Sequence, residues 1–407
     1  MTVNARRFAQ RILTPLALAA PLALATPAAA TPSQQVINAS LNSVSCPAAN
    51  DCMAVGSFLG QIPGTSAFQN FTLAESWNGS TWTVLPSPSP RLPGGGALLS
   101  SVSCTSTTSC MAVGQSQVFH EPGGFIILHP FAESWNGTKW SVVATPTLTN
   151  AGASLNGVSC TGASSCMAVG NEGTRRNSTL FTLAEQWDGT TWKVVTTPPP
   201  LTPGGTALST VSCASRSACM AAGYFGFSTG FGTSLTLAEQ WDGTKWRIRT
   251  TPTPGSSGSF GGITCTAPAA CIAVGGHRTT NHNQVTLAEQ WNGTGWQVLA
   301  TPNPRGFGVA GLGGISCPAA ATCMGVGSGT DPTGESSFNL AEAWNGTSWG
   351  ILRTPSPGST NNGLGGVSCT SPSSCMAVGG FIGLGNGMTL AESWNGTSWS
   401  VVKTPRP

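Results

Sequence analysis

Hydrophobic and polar positions along the chain recur as a block. Each block holds four short runs in which apolar or β-branched residues alternate with small polar ones. In the first block these are "LNSVSC" from Leu41, "CMAVG" from Cys52, "FTLAESW" from Phe71 and "TWTVL" from Thr81. Gly, Pro, Asn and Ser bound every run, and alternation with a period of two marks a half-buried strand. No segment sustains a helical period. Repeats begin near residues 41, 99, 155, 208, 260, 312 and 364, a spacing of about fifty residues that reads as a toroidal or stacked array. Four strands per block and seven blocks predict an all-β fold, a seven-bladed β-propeller with four antiparallel strands per blade. A solenoid of the same repeats is the competing architecture. It would need distinct capping repeats, and the first and last blocks are no more polar than the rest. The blocks run in phase from Leu41 onward, which makes the preceding "QQVINAS" a candidate extra strand for closing a ring.

All 14 cysteines fall into C-x5-C pairs, one pair per block: Cys46/Cys52, Cys104/Cys110, Cys160/Cys166, Cys213/Cys219, Cys265/Cys271, Cys317/Cys323 and Cys369/Cys375. Five intervening residues make a short hairpin loop, so in an exported chain one disulfide per blade is expected. A zinc site needs four converging ligands and each pair supplies two, so no metal and no cofactor is expected. All 14 tryptophans fall in the phrase "LAE-x-W-[ND]-G-x-x-W". Asn-Gly between two strand-like runs is a strong hairpin signal, and Asp188-Gly189 and Asp242-Gly243 take the same place in the third and fourth blocks. A two-residue turn would set Trp77 opposite Ser80 and Trp82 opposite Glu75, with all four side chains on one sheet face. Both rings then pack between neighbouring blades; recurrence in every block favours this over an aromatic platform for sugars. The glutamates of the phrase (Glu75, Glu133, Glu185, Glu239, Glu289, Glu342, Glu392) are expected to be structural, accepting hydrogen bonds from backbone or Trp N–H groups.

Residues 1–30 read as a signal peptide, leaving 31–407 as the propeller. Arg6, Arg7 and Arg11 precede the apolar "LTPLALAAPLALA", and Ala28-Ala29-Ala30 offers a cleavage site. Pro15 and Pro21 interrupt that stretch, which is too short to span a bilayer. A secreted, extracellular, bacterial protein is the expectation, and the Asn-Gly-Ser/Thr sequons are incidental to the turns. The chain has 17 Lys+Arg and 14 Asp+Glu, and removal of the signal's three arginines leaves 14 of each sign. So neutral a surface offers no electrostatic footprint for nucleic acid or an anionic membrane. The expected partner of this monomer is an extracellular glycan or protein.

The stretch "CMAVGGFIGLGNGMTLAESWNGTSWSVVKTP", Cys375 to Pro405, resembles a kelch repeat in its order of Val-Gly-Gly, variable loop, Glu-x-aromatic-Asn, Trp and Pro. "LNSVSC…CMAVG…WNGSTW" is similar to the bacterial neuraminidase (Asp-box) and photosystem II assembly-factor type of propeller repeat. The resemblance covers all seven blocks, about residues 36–405. It implies the propeller and leaves the activity open, since such propellers host many unrelated functions. Trp77 and its equivalents stand where an Asp box has its Asp. Galactose-oxidase-like chemistry needs two Tyr with His around copper, and Tyr224 is the one tyrosine in the chain. Sialidase-like chemistry needs an arginine cluster, a Tyr nucleophile and an Asp acid. Tyr224, Arg175, Arg176, Arg278 and Arg305 are the residues it would recruit, and nothing in the sequence places them together.

Strand parity puts the Cys hairpins and Asn-Gly turns on one face of the disc. The loops after each second strand and the blade connections fall on the other. Almost every residue that escapes the repeat lies on that second face, where variable loops on a rigid scaffold hold binding sites. The aromatics of "YFGFSTGFG" suit stacking on a sugar or seating a peptide. Tyr224, Phe225 and Phe227, with Arg278 and His282, are the candidate ligand-binding residues. Glu121, Glu172, Asp331 and Glu335 are the weak candidates for the two carboxylates a glycoside hydrolase needs. The sequence favours a non-enzymatic binding propeller for glycan, cell-envelope or protein ligands. A sialidase-like glycoside hydrolase, or a lyase, is the alternative.

Overall fold

The computed structural model describes residue 1 and residues 35–90, 95–120, 125–148, 152–173, 179–199, 204–226, 234–281, 283–303, 308–383 and 385–407. Gln35–Pro407 form one unit. Its strands assemble four at a time, in chain order, into antiparallel blades. Blade 1 runs through Val36–Ala48, Asp51–Gln61, Phe68–Trp77 and Trp82–Leu85. The first strands of blades 2 to 7 are Gly96–Ser106, Gly152–Gly162, Gly205–Ser215, Ser257–Ala267, Val309–Ala319 and Thr360–Ser371. Blades 5 and 6 are also joined by one parallel pair, Gln284 with Val309. Each first strand lies against the first strand of the next blade, and that of blade 7 lies against that of blade 1. The ring is closed, so the fold is a seven-bladed propeller and not a solenoid.

Closure uses no exchanged strand. Val36–Ser40, from the segment expected to add one, are the start of blade 1's own first strand. The seam is instead made like the other interfaces. In "VSC" or "ISC" the serine hydroxyl accepts the Cys N–H of the following blade. Ser45 takes Cys104 at 2.9 Å, Ser103 takes Cys160 at 3.0 Å, and Ser316 takes Cys369 at 2.9 Å. Ser368 of blade 7 takes Cys46 of blade 1 at 3.0 Å, which carries the same bond across the seam.

The core is divided among the interfaces between blades. Met53, Val55 and Ala74 of blade 1 pack on Leu99, Val102, Ala112, Phe131 and Trp140 of blade 2. An equivalent cluster fills each of the seven interfaces, including the seam. The second Trp of every pair is only 4–7% exposed, and paired rings lie 5.7–5.9 Å apart. The tryptophans therefore join blade to blade, each removing a large apolar area from water.

All seven disulfides form as the spacing predicts: Cys46–Cys52, Cys104–Cys110, Cys160–Cys166, Cys213–Cys219, Cys265–Cys271, Cys317–Cys323 and Cys369–Cys375, with Cα–Cα distances of 3.9–4.0 Å. Their surroundings add to the hairpin reading. The second cysteine of every pair is buried and belongs to the core of a blade interface. Cys219 lies in the cluster between blades 3 and 4, Cys271 in that between blades 4 and 5, and Cys323 in that between blades 5 and 6. The physical reason is register. Cys219, Cys271 and Cys323 stand opposite Trp241, Trp291 and Trp344 on the third strand, and cross-strand partners share a sheet face. Each bridge is thus both a hairpin staple and a piece of interface packing.

The turn between paired tryptophans is wider than two residues. Trp77 pairs with Trp82 and Glu75 with Val84, so four residues, Asn78 to Thr81, make the loop. The cause is the Asn side chain: Asn78 Oδ1 accepts the N–H groups of Ser80 (3.0 Å) and Thr81 (2.9 Å), which winds the backbone one step further. Gly79 and its six equivalents have φ of 91–100°, a region that disfavours side chains. The glycine of "MAVG" has a different reason. It lies opposite a β-bulge in the first strand, and a Cβ on any of the seven would fall 1.9–2.0 Å from a first-strand carbonyl oxygen.

Two substitutions rank these devices. Trp192→Ala empties part of one interface and is expected to cost about 3–5 kcal/mol. Gly170→Ala drives a Cβ onto the Ser154 carbonyl and is expected to lower the thermal midpoint at least as much. Calorimetry of both variants checks the pair, and a wild-type midpoint for Gly170→Ala would contradict the bulge geometry.

Candidate functional site

The two faces are as strand parity predicts. Each turn glycine lies against the tip of its blade's Cys hairpin: Gly79 on Asn50, Gly137 on Thr108, Gly189 on Ser164. The loops after the second strands lie on the opposite face. There Tyr224 and Phe225 stand on the second strand of blade 4, half-buried and paired with Thr236 and Leu235. Phe225 packs against the core between blades 3 and 4. Arg278 is exposed at the end of the second strand of blade 5. Beside it, burial lowers the pKa of His277. Glu121, Phe227 and His282 lie outside the described residues, as do Arg175, Arg176 and Arg305.

The described candidate carboxylates do not converge. Glu172 is on the second strand of blade 3, opposite Ala153 and Phe181. Asp331 and Glu335 share one loop of blade 6. Asp331 Oδ1 accepts the Thr333 hydroxyl at 2.8 Å and the Glu335 N–H at 3.1 Å, while Oδ2 accepts the Ser336 N–H at 3.2 Å. Those bonds, the Thr333 hydroxyl foremost, hold its pKa below the usual carboxylate range and tie the group to its own loop.

The strongly perturbed acids lie elsewhere. The seven repeat glutamates are 0–2% exposed. Burial pushes Glu75, Glu133, Glu185, Glu239 and Glu289 up to about 8, and Glu342 and Glu392 up to about 7. A raised carboxyl in a cleft is the usual mark of an acid catalyst. These seven are enclosed rather than set in clefts, and Glu133, Glu239, Glu342 and Glu392 meet side chains of the preceding blade. Ser87 Oγ of blade 1 donates to Glu133 Oε2 of blade 2 at 2.9 Å. Asn339 Nδ2 of blade 6 donates to Glu392 Oε1 of blade 7 at 2.8 Å, and Thr354 Oγ1 donates to its Oε2. Among the described residues the carboxyls of Glu75, Glu185 and Glu289 find no hydrogen-bond partner. The expected Trp N–H donors do not reach them. Among the described residues the buried second indoles are unpartnered, and the first indoles of three pairs turn to the Cys hairpin: Trp135 Nε1 donates to Thr107 O, Trp187 Nε1 to Ala163 O and Trp394 Nε1 to Pro372 O, each at 3.2 Å.

Concave surface lies on the axis, at the seam and, on the hairpin face, between blades 2 and 3, where a pocket of 350 Å³ is lined by residues including Thr108, Trp135 and Trp187. A cavity of 140 Å³ is lined by the bulged residue of every first strand and its successor: Asn42-Ser43, Ser100-Ser101, Asn156-Gly157, Ser209-Thr210, then Gly-Gly in blades 5, 6 and 7. Asn42 Nδ2 donates to Leu99 O at 2.8 Å and Asn156 Nδ2 to Leu208 O at 2.9 Å. Between blades 7 and 1 a groove of 410 Å³ opens from this cavity, sharing Asn42 and Gly365 with it. It meets an outer groove of 510 Å³ at Ala39 and Gly387. The charged residues along this path are Lys403 and Arg406, at its outer end. Among the described residues no group of His, Cys, Asp and Glu is placed to hold a metal ion. The sequence reading missed this path, although the change from polar pairs to Gly-Gly after "L" or "F" in the first strands was a visible signal.

No protein-family profile matches the chain, and no curated protein does. Solved structures do. The β-propeller domain of the Trilobed protease from Pyrococcus furiosus, which has an open velcro topology, matches with a TM-score of 0.50 at 7% identity, over 92% of this chain and all of its own. A protein of unknown function from Dyadobacter fermentans matches at 0.50 and 12% identity, over 88% and 96%. YCF48 bound to D1 peptide matches at 0.46 and 14% identity, over 93% and 99%. At these identities the likeness concerns the fold, a β-propeller. Seven disulfides suggest an extracellular or otherwise oxidising compartment. Among the described residues no helix is long and apolar enough to cross a membrane.

The buried acids set a pH dependence. Their folded pKa lies above the ordinary 4.5, so they stabilise the fold fully below about pH 4.5, and that contribution fades as pH rises through 7–8. The thermal midpoint is expected to fall between pH 5 and pH 9. Glu185→Gln, which removes the ionisation and keeps the shape, is expected to gain at least about 1 kcal/mol at pH 9 relative to wild type. Differential scanning calorimetry across this range checks the sign; a midpoint rising with pH would refute it.

Proposed function

We propose that the protein is a secreted, non-enzymatic binding propeller of the kelch-like or Asp-box kind, whose ligand is an extracellular glycan held on the variable-loop face. The observation that carries this reading is the chemistry of the concave surface. From the axial cavity through the seam it presents amides, hydroxyls and glycine backbone, and the described carboxylates are elsewhere. Such a surface hydrogen-bonds a neutral polar ligand, and among its described lining residues there is no acid–base pair for cleaving one. Export fits the disulfides: residues 1–30 act as a removable signal, and the mature bacterial protein works as a monomer outside the cell.

The test uses the mature, oxidised protein on an array of polysaccharides and cell-wall fractions, scoring retention and, by mass spectrometry, any released product. Retention without product is expected. Released oligosaccharide would replace this reading with a hydrolase or lyase, and retention on a protein component alone would replace the glycan.

A further inference from the structure

The seam differs from the other interfaces in its backbone. Each first strand of blades 2 to 6 carries two irregularities, one at the axis and one beside the disulfide hairpin. The two strands that border the seam carry a third. In blade 1 it lies between Val36 and Asn38, and in blade 7 between Thr360 and Gly363. Bulges of this kind re-aim side chains and gather beside functional sites. These two flank the 410 Å³ groove from either side.

Their effect is to set amides along it. Asn362 is 3% exposed and fully bonded: its Oδ1 accepts the Gly358 N–H at 2.8 Å, and its Nδ2 donates to Ser337 O at 2.9 Å and Gly358 O at 3.0 Å. With Asn362 anchored inward, Asn361 is held at φ 53°, the one non-glycine residue at positive φ among those described, and it stays exposed on the groove. Across from it, the Asn38 side chain lies over Gly387, where a Cβ would fall 1.4 Å from Asn38 Oδ1. Asn42 and Ser40 continue the row toward the axis, and Phe381 and Ile382 supply an apolar wall.

We infer that the groove between blades 7 and 1 binds an internal stretch of a neutral polysaccharide, with the amides of Asn38 and Asn361 as its hydrogen-bonding pair. This deepens the glycan-binding reading and rests on it. A carboxamide offers a donor and an acceptor side by side, which matches neighbouring sugar hydroxyls. The apolar wall meets the C–H face of a pyranose ring. The 410 Å³ groove itself is lined by no charged residue, so an acidic or basic polymer gains nothing there. It borders the outer groove of 510 Å³ at Ala39 and Gly387, so a chain seated in it has concave surface to continue along on that side.

The experiment measures affinity of the mature, oxidised protein for cellulose, chitin, mannan and xylan, with polygalacturonate as the charged comparator. Asn361→Gly suits the positive φ, so it removes the amide and keeps the fold; Asn38→Ala removes the opposing one. Each is expected to weaken binding to the retained neutral polymer about three- to tenfold, and the pair more than tenfold, at an unchanged thermal midpoint. Wild-type affinity in the double variant overturns the seam site and leaves the binding reading standing; loss of binding in Tyr224→Ala alone would then move the site to blade 4. Retention on polygalacturonate only, abolished by salt, overturns the neutral class. No retention on any polymer overturns both readings.

Discussion

A single blade is apolar on both faces and can bury neither alone. That constraint orders the rest of the structure. Each interface is closed by a similar set of groups. In most, a Met-x-Val pair and Ala come from one blade, and Leu, Val, Ala and a buried Trp from the next. Between blades 4 and 5 Met220-x-Ala222 meets Phe260 and Ile263, and between blades 5 and 6 Ile272-x-Val274 meets Leu312 and Ile315. Stability is therefore distributed nearest neighbour to nearest neighbour, as in other repeat proteins, but a ring has no exposed terminal repeat to cap. Cys46 and Ser368, 322 residues apart, meet through the same bond that joins consecutive blades.

The interface also decides where the acids are. Half of the chain's 14 Asp and Glu residues are the repeat glutamates, and all of these are enclosed between blades. Asp188 and Asp242 serve turns: each accepts two backbone N–H groups and is paired with a cation two residues beyond the loop, Lys193 at 2.7 Å and Arg247 at 3.1 Å. Asn takes their place in the other turns with the same side-chain oxygen. The groups capable of acid–base chemistry are thus largely engaged in holding the ring, and the axial cavity and the seam groove are left neutral and hydrogen-bonding.

What repeats was legible in the sequence; what occurs once was not. The strand alternation, the C-x5-C pairs and the recurrent Trp pair led to the blades, the disulfides and the interface role of the rings. The C-x5-C spacing located the hairpins but not the burial of their second cysteines. Cys219, Cys271 and Cys323 enter the core because their register sets them beside a tryptophan of the third strand. The turn width was misjudged because the Asn78 side chain, not the backbone pattern alone, sets it. The expected Trp–Glu bonds do not form among the described residues: three first indoles turn to hairpin carbonyls, and Glu133 and Glu392 take hydroxyls and an amide of the preceding blade instead. The seam was hidden for a plainer reason. Asn38 and Asn361 come from opposite ends of the chain and share a groove only after the ring has closed. Asn361 gave one local hint, an Asn-Asn-Gly run where other first strands begin without one. Tyr224, Phe225 and Arg278 were readable as departures from the repeat, yet departure alone does not say which face of a strand a side chain takes.

The central claim is that the repeat acids are enclosed, protonated parts of the blade interfaces. Potentiometric titration of the folded and the denatured protein between pH 3 and pH 10 measures this directly. At pH 6 the folded protein should hold about seven more protons than the denatured chain, released as the pH passes through 7–8. Superimposable titration curves would mean that the carboxyls are ionised in the folded ring, and would contradict the account.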